Sequence, residues 1–414
     1  MSSRQEPVAA PSVDDAVEPM LRRLAVAPPL QPFDDRTLAF LTALSRTLSA
    51  DATLRARGEV QALAYWLRPT ELRHLVDRTR ATEGDDAVLV PRGTVFHVPP
   101  ANVDTLFVYS WALSMLVGNR NIVRLSQRLG GVGARVATLI EEVLAQPANV
   151  DIRANTLFVR YGHDDERTRL FSAHCDVRVL WGGDAAVRML RAVPLPPHAV
   201  ELVFPDRYSA AVLSAAAVAA LTDDARDALA DRFANDAFWF DQMACSSPRL
   251  VAWIGSDDAM QQVAPDFWHR VAAATVRRHV VTDAATSLAK LTAVARAAAD
   301  EPVASVTRVS PAVTVVRLTT LVGLRRMAPG GGLFHEVALP SVNALAPHLE
   351  RRDQTLTAFG IPRPELLAAA RVFNGRGVDR IVPVGQALSF HHVWDGYDLL
   401  QQFTRRVTVA AHGW

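Results

Sequence analysis

Between Asp34 and about Thr82 the segments LAFLTALSRTL and ELRHLVDRTR place Leu, Phe and Val on one face and charge on the other, which predicts amphipathic helices. The texture then changes. AVLVPRGTVFHV clusters β-branched residues, DTLFVYSWALSMLV returns to helical spacing, and NIVRLS is a buried-strand pattern ahead of the helix GARVATLIEEVLAQ. TLFVRYG, DERTRLFSAH, VRVLWGG and DAAVRMLRAV continue as strand, helix, strand, helix. Such alternation predicts an α/β fold with a parallel sheet covered by helices.

A second α/β unit begins near Tyr208 with the strand YSAAVLS, the helix LTDDARDALADRFANDAFWF, the turn-rich DQMACSSP and the strand RLVAWIG. Residues 258–300 have helical spacing, PAVTVVRLT is strand-like, and the Gly-rich APGGGLFHEVALPSV precedes a further α/β stretch ending in VDRIVPVG. The tail DLLQQFTRRVTVAAHGW reads as a helix followed by a strand. The expected division is a flexible amino-terminal arm over 1–33, a first domain over 34–207 to which 386–414 returns, and a second domain over 208–385.

The chain has 414 residues, 50% of them hydrophobic, enough for roughly two to three domains with their own cores. With 44 Lys+Arg against 43 Asp+Glu, no global field favours nucleic acid or an anionic membrane surface. The basic residues are almost all arginine, and Lys290 is the sole lysine. No GxxxxGK surrounds it, and its helical context LAKLTAVARAAAD makes it a surface helix residue. Two cysteines, Cys175 and Cys245, support neither a disulfide framework nor a zinc knuckle and fit a reducing compartment. The first 30 residues lack the apolar stretch of a secretory signal, and AAVLSAAAVAAL at 210–221 is too short to cross a bilayer. The expectation is a soluble, cytoplasmic protein.

Among reactive side chains, Cys245 lies in a polar, turn-forming stretch just before an apolar strand, where a loop residue can face a cleft. A cysteine there is either a packing residue or, if its thiolate is exposed and stabilised, a nucleophile. Cys175, in SAHCDVRVLW, reads as a core residue. Asn102, in PPANVD, is a helix cap or an amide donor to an oxyanion, and spacing does not choose between them. GGVGA lacks the third glycine of a dinucleotide fingerprint, WGGD is a strand-to-helix turn suited to a phosphate, and the GGG at 330–332 is a mobile loop or a close-approach surface. The 12 histidines include no HExxH or His/Cys cluster, so no metal is expected. There is no GxSxG for a serine nucleophile.

Taken together, GTVFHVPPANVDTLFVYSWALSMLVGNRNIVRLS, VRVLWGGDAAVRML, VELVFPDRYSAAVL, FDQMACSSPRLVAWI and VDRIVPVGQALSFHHVWDGYDLL resemble the acyl-CoA reductase (LuxC) family of the aldehyde dehydrogenase superfamily. The resemblance spans about residues 85–405 in consistent order. It implies an aldehyde dehydrogenase-like fold, with a Rossmann-type nicotinamide cofactor-binding domain and an α/β catalytic domain. It also implies reduction of an activated acyl group to an aldehyde through an acyl-cysteine. By that resemblance Cys245 is the nucleophile and Asn102 an oxyanion donor, assisted by the Cys245 backbone N–H. Arg124 and Ser126 hold the adenosine ribose or its phosphate, Gly182 and Gly183 form the cofactor turn, and Phe334 packs beside the nicotinamide. Arginine at 124 favours NADPH over NADH, since it can grip a phosphate with two parallel N–H donors.

The substrate implied is an acyl thioester on coenzyme A or a carrier protein. An acyl-synthetase partner and a homodimer are expected by the same resemblance, with RRVTVAA a candidate interface strand. Glu201, in VELVFPDRYS, aligns loosely with the glutamate that activates water in hydrolytic aldehyde dehydrogenases. Two other readings stay open: an acyltransferase or thioesterase-like cysteine enzyme, and a non-catalytic scaffold.

Overall fold

The computed structural model describes residues 13–409 apart from 85, 101, 102, 104, 128, 163–164 and 322–328. They form two compact units, one of residues up to Pro205 together with those from Tyr397, the other Asp206–Gly396. Among the described residues no helix is long and apolar enough to cross a membrane.

The first unit opens with helices α1 (Val13–Ala25), α2 (Asp35–Ala50), α3 (Gly58–Trp66) and α4 (Pro69–Arg80). The arm expected over 1–33 is therefore helical from Val13. Val17 and Leu24, each 4% exposed, fall seven residues apart on one face and join a core with Phe96, Phe171 and Cys175. Pro19 lies inside this helix, and an interior proline, normally a breaker, is what made the segment read as loose.

Then follow β1 (Ala87–Pro91), β2 (Thr94–Val98), α5 (Leu106–Leu116), β3 (Arg120–Leu125), α6 (Gly131–Leu144), α7 (Val150–Ala154), β4 (Thr156–Arg160), α8 (Asp165–Ala173), β5 (Val177–Trp181), α9 (Asp184–Arg191) and β6 (Val200–Phe204). Helix α5 is buried at every residue from Phe107 to Leu116, as an all-round apolar sequence requires. The sheet has the order β4-β3-β2-β5-β6 and is parallel throughout. The chain steps outward from β2 through β3 to β4, then crosses back to place β5 on the other side of β2. Ligands in open α/β sheets bind outside the carboxyl ends of the strands at such a reversal, here the ends of β2 and β5. The returning strand Thr404–Thr408 pairs antiparallel with β1 in a separate two-stranded ribbon.

The second unit comprises β7 (Tyr208–Ser214), α10 (Ala215–Ala219), α11 (Asp223–Phe238), β8 (Pro248–Ile254), α12 (Asp257–Arg277), α13 (Ala284–Asp300), β9 (Val303–Arg308), β10 (Thr314–Leu318), β11 (Leu333–Leu339), β12 (Asp353–Phe359), α14 (Arg363–Phe373) and β13 (Arg380–Pro383). Its seven strands run β13-β12-β7-β8-β11-β10-β9, all neighbours parallel except the edge strand β9. Side chains alternate between two cores. Val251, Trp253 and Phe334 face a cluster containing Phe233, Phe267 and Trp268, while Leu250, Leu333 and Val337 face another containing Tyr208, Leu356 and Phe373. Residues 386–396, expected with the first domain, lie in this second unit. The Ala387 N–H donates to Asp236 Oδ1 at 2.8 Å and the Arg380 guanidinium reaches the Ala387 carbonyl.

Candidate active site

Helix α11 is capped by Thr222, whose hydroxyl accepts from the Ala225 N–H, and it releases the chain at Phe238 into a loop that leads to β8. Asp241 and Gln242 take left-handed backbone conformations, φ 51° and 63°, which cost an L-residue roughly 1–2 kcal/mol each. The fully buried Gln242 side chain offsets this. Its Nε2 donates to the Pro248 and Leu333 carbonyls, both at 3.0 Å, and its Oε1 accepts from the Gly332 N–H at 2.9 Å. The Gly331 N–H donates to the Asp241 carbonyl at 2.9 Å. The triple glycine is thus a close-approach surface: at Gly332, φ 81°, a Cβ would fall 1.7 Å from the Ala312 carbonyl oxygen. A glycine turn and one buried amide therefore fix the loop that carries Cys245. Gln242 escaped the sequence reading because a glutamine in FDQMAC carries no motif.

Cys245 is exposed. Its carbonyl accepts from Ser209 Oγ at 2.7 Å, and Ser209 in turn accepts from the Thr355 N–H at 3.2 Å, pinning the residue to β7 and β12. Among the described residues no acceptor takes the Cys245 N–H. Crowding by protein atoms, then the charges of Asp395 and Asp206, push the thiol up to about 11, against the pull of Arg249 and Arg207. The residue is thus solvent-accessible while its sulfur is crowded by protein atoms. Asp395 is itself buried, pairs with Arg207 Nε at 3.0 Å and accepts from Gln354. Burial raises its carboxyl above the usual range. With its thiol raised to about 11, Cys245 rests protonated at neutral pH.

In the first unit, Gly182 and Gly183 follow β5 at the reversal, with Gly183 capping α9. A Cβ at Gly182 would meet only Ala186, at 3.7 Å, so the turn presents open backbone. Arg124 and Ser126 lie at the carboxyl end of β3. The Arg124 guanidinium already donates to the Tyr161 and Gly162 carbonyls at 3.4 and 2.7 Å and lies over the Tyr161 ring. A nucleotide phosphate there would share or displace those contacts. Asn102 lies outside the described residues.

Two expectations, for Phe334 and Lys290, are corrected, and the loose alignment of Glu201 gains no support as a base. Phe334 is fully buried in the aromatic core, its ring centroid 4.9 Å from that of Trp268 and 5.5 Å from that of Phe233. Strand alternation turns it into the core, so it cannot pack beside a nicotinamide. Glu201 has both carboxylate oxygens in ion pairs, with Arg178 through Oε1 and with Arg191 through Oε2 at 2.9 Å, and is no free base. Lys290 is 5% exposed, not a surface residue, and donates to the Pro311 carbonyl at 2.7 Å. No group of three or more His, Cys, Asp or Glu able to hold a metal occurs among the described residues.

This architecture is that of the aldehyde dehydrogenases. The structure superposes on lactaldehyde dehydrogenase with a TM-score of 0.64 at 13% identity, covering 95% of this chain and 89% of that one. It superposes equally, TM-score 0.64 at 14% identity, on gamma-glutamyl-gamma-aminobutyraldehyde dehydrogenase from Burkholderia cenocepacia, covering 95% and 87%. Within that fold the chain belongs to the acyl-CoA reductase (LuxC) family, whose profile matches residues 35–406. The long-chain acyl-protein thioester reductase of Aliivibrio fischeri is 26% identical over 169 residues, 40% of this chain. That match spans about a third of the relative's length, 33%.

Proposed function

We propose that this protein reduces an acyl thioester, carried by coenzyme A or a carrier protein, to the aldehyde, with NADPH as reductant and Cys245 as nucleophile. The observation that carries the reading is a single exposed thiol on a rigidly held loop, beside a backbone N–H with no acceptor among the described residues. The Cys245 sulfur attacks the thioester carbonyl, and the Cys245 N–H, with the Asn102 amide by family resemblance, donates to the oxygen as it gains charge. Collapse breaks the bond to the carrier sulfur, which leaves as a thiol with the proton lost from Cys245. The acyl group remains on the cysteine.

The open turn at Gly182 and Gly183, at the sheet reversal and the start of α9, fits a dinucleotide pyrophosphate. Arg124 would serve the ribose phosphate of NADPH. A nicotinamide nucleotide held there would supply the hydride that takes the acyl group to the aldehyde level; the C–S bond to Cys245 breaks as the aldehyde leaves, and the sulfur regains a proton from solvent. Glu201 is held by Arg178 and Arg191, which supports reduction over hydrolysis, since no base at that position spends the acyl group on water. The ribbon formed by β1 and Thr404–Thr408, with Val88 56% and Val407 45% exposed, suits the expected homodimer interface, and an acyl-synthetase would supply the activated acyl group.

NADPH oxidation, followed by absorbance with a panel of acyl thioesters, tests the reading. Stoichiometric aldehyde and NADP⁺ are expected, with no turnover in Cys245→Ser. Carrier release without nicotinamide oxidation would move the chain to the acyltransferase or thioesterase-like reading. Failure to quench protein fluorescence with either nicotinamide nucleotide would favour the scaffold.

A further inference from the structure

The sole lysine borders a cleft of about 480 Å³ in the second unit, between α13 and the β9–β10 edge of the sheet. Its walls include Leu288, Leu291 and Val294 from α13 and Val306 from β9, and its charged groups are Lys290 and Arg308. Among the described residues no carboxylate lines it. Lys290 is almost wholly buried, and the partner of its ammonium is a neutral carbonyl, that of Pro311. Burying a cation without a counter-charge is unfavourable. Burial first, and the like charge of Arg308 second, accordingly pull the Lys290 amine down to about 8.

We infer that this cleft is a binding site for an aliphatic carboxylate, its headgroup between Lys290 and Arg308 and its alkyl chain along Leu288, Leu291, Val294 and Val306. Charge complementarity selects the anion, because among the described residues two cations face the space and no acid does. The aliphatic walls select an alkyl chain over a nucleotide, which would want stacking surfaces and a row of backbone N–H groups. The volume lies within the roughly 300–1,000 Å³ of small-molecule sites. The exposed Leu288, Leu291 and Val306, at 64%, 65% and 44%, are the apolar surface such a chain would cover. None of the walls belongs to the Cys245 loop. The cleft is nonetheless built on the turn that holds that loop, since the Thr314 N–H donates to the Gly332 carbonyl at 2.9 Å and Thr314 lines the cleft. The inference does not depend on the reaction at Cys245.

Isothermal titration of the full chain with decanoate at pH 8, in phosphate and in Tris, tests it. Binding should draw up about half a proton per site, because the carboxylate restores the charge of an amine that is half neutral at this pH. Lys290→Met should weaken binding at least about tenfold and abolish the proton uptake. This substitution keeps volume in the core, and Arg308→Ala, on the exposed edge strand, should weaken binding severalfold without touching the core. Decanol or inorganic phosphate binding as tightly as decanoate would overturn the inference. So would decanoate binding that is unchanged in both variants.

Discussion

Cys175 and Cys245 occupy matching places in the two units, each shortly before a parallel strand, β5 for the first and β8 for the second. Cys175 is 2% exposed, donates its S–H to the Ser172 carbonyl at 3.3 Å, and is pushed up to about 12, chiefly by burial. Cys245 is pushed up to about 11, so the acidity of the two thiols differs little. What separates them is access and surroundings. One thiol spends its hydrogen on a core carbonyl, while the other is open to solvent beside an unclaimed N–H and is flanked by charges of both signs. The proposal of Cys245 as nucleophile therefore rests on its access and surroundings and not on a preformed thiolate.

The largest effect that would sharpen this contrast is on turnover. Cys245→Ala should abolish acyl reduction, by about 10³-fold or more, whereas Cys175→Ala should change the rate by less than about twofold and lower thermal stability instead. Steady-state rates and melting curves of the two variants check this together. Next comes pH. Alkylation of Cys245 by iodoacetamide should rise about tenfold per pH unit from 7 to 10, tracking the thiolate, while Cys175 stays unlabelled in the folded protein. A plateau near pH 8 would show that Cys245 is far more acidic than its surroundings dictate.

Gln242→Leu removes the acceptor of the Gly332 N–H and the donors to two buried carbonyls, and should cost about 2–4 kcal/mol by denaturant unfolding. The smallest effect expected is at Asp395. Asp395→Asn takes a negative charge from the neighbourhood of Cys245, so the thiol pKa should fall and alkylation at pH 8 should quicken severalfold. Slower alkylation would reverse the assigned sign.

The alternation of strand and helix was legible in the sequence because parallel strands buried on both faces are short apolar runs, as in VRVLW and RLVAWI. The segments that misled did so for local reasons. Pro19 hid α1, the edge strand β9, exposed from Ala304 to Arg308, forms no apolar run, and Lys290 follows helical spacing yet points into the protein. At the site, the exposed loop position of Cys245 was readable from its turn-forming neighbours. The buried amide of Gln242 was not, because two of its three hydrogen bonds reach a segment some 90 residues away. Phe334 was placed by family resemblance on the ligand side, and only the alternation of β11 against the two cores shows that it faces inward.

Intact-protein mass spectrometry after mixing the chain with an acyl thioester, with no nicotinamide nucleotide present, measures the acyl-cysteine directly. The expected result is one acyl group per chain, mapped to the peptide containing Cys245, and its disappearance with release of aldehyde when NADPH is added. An unmodified Cys245 in a protein that still oxidises NADPH with the same thioester would contradict the assignment of this cysteine as the nucleophile.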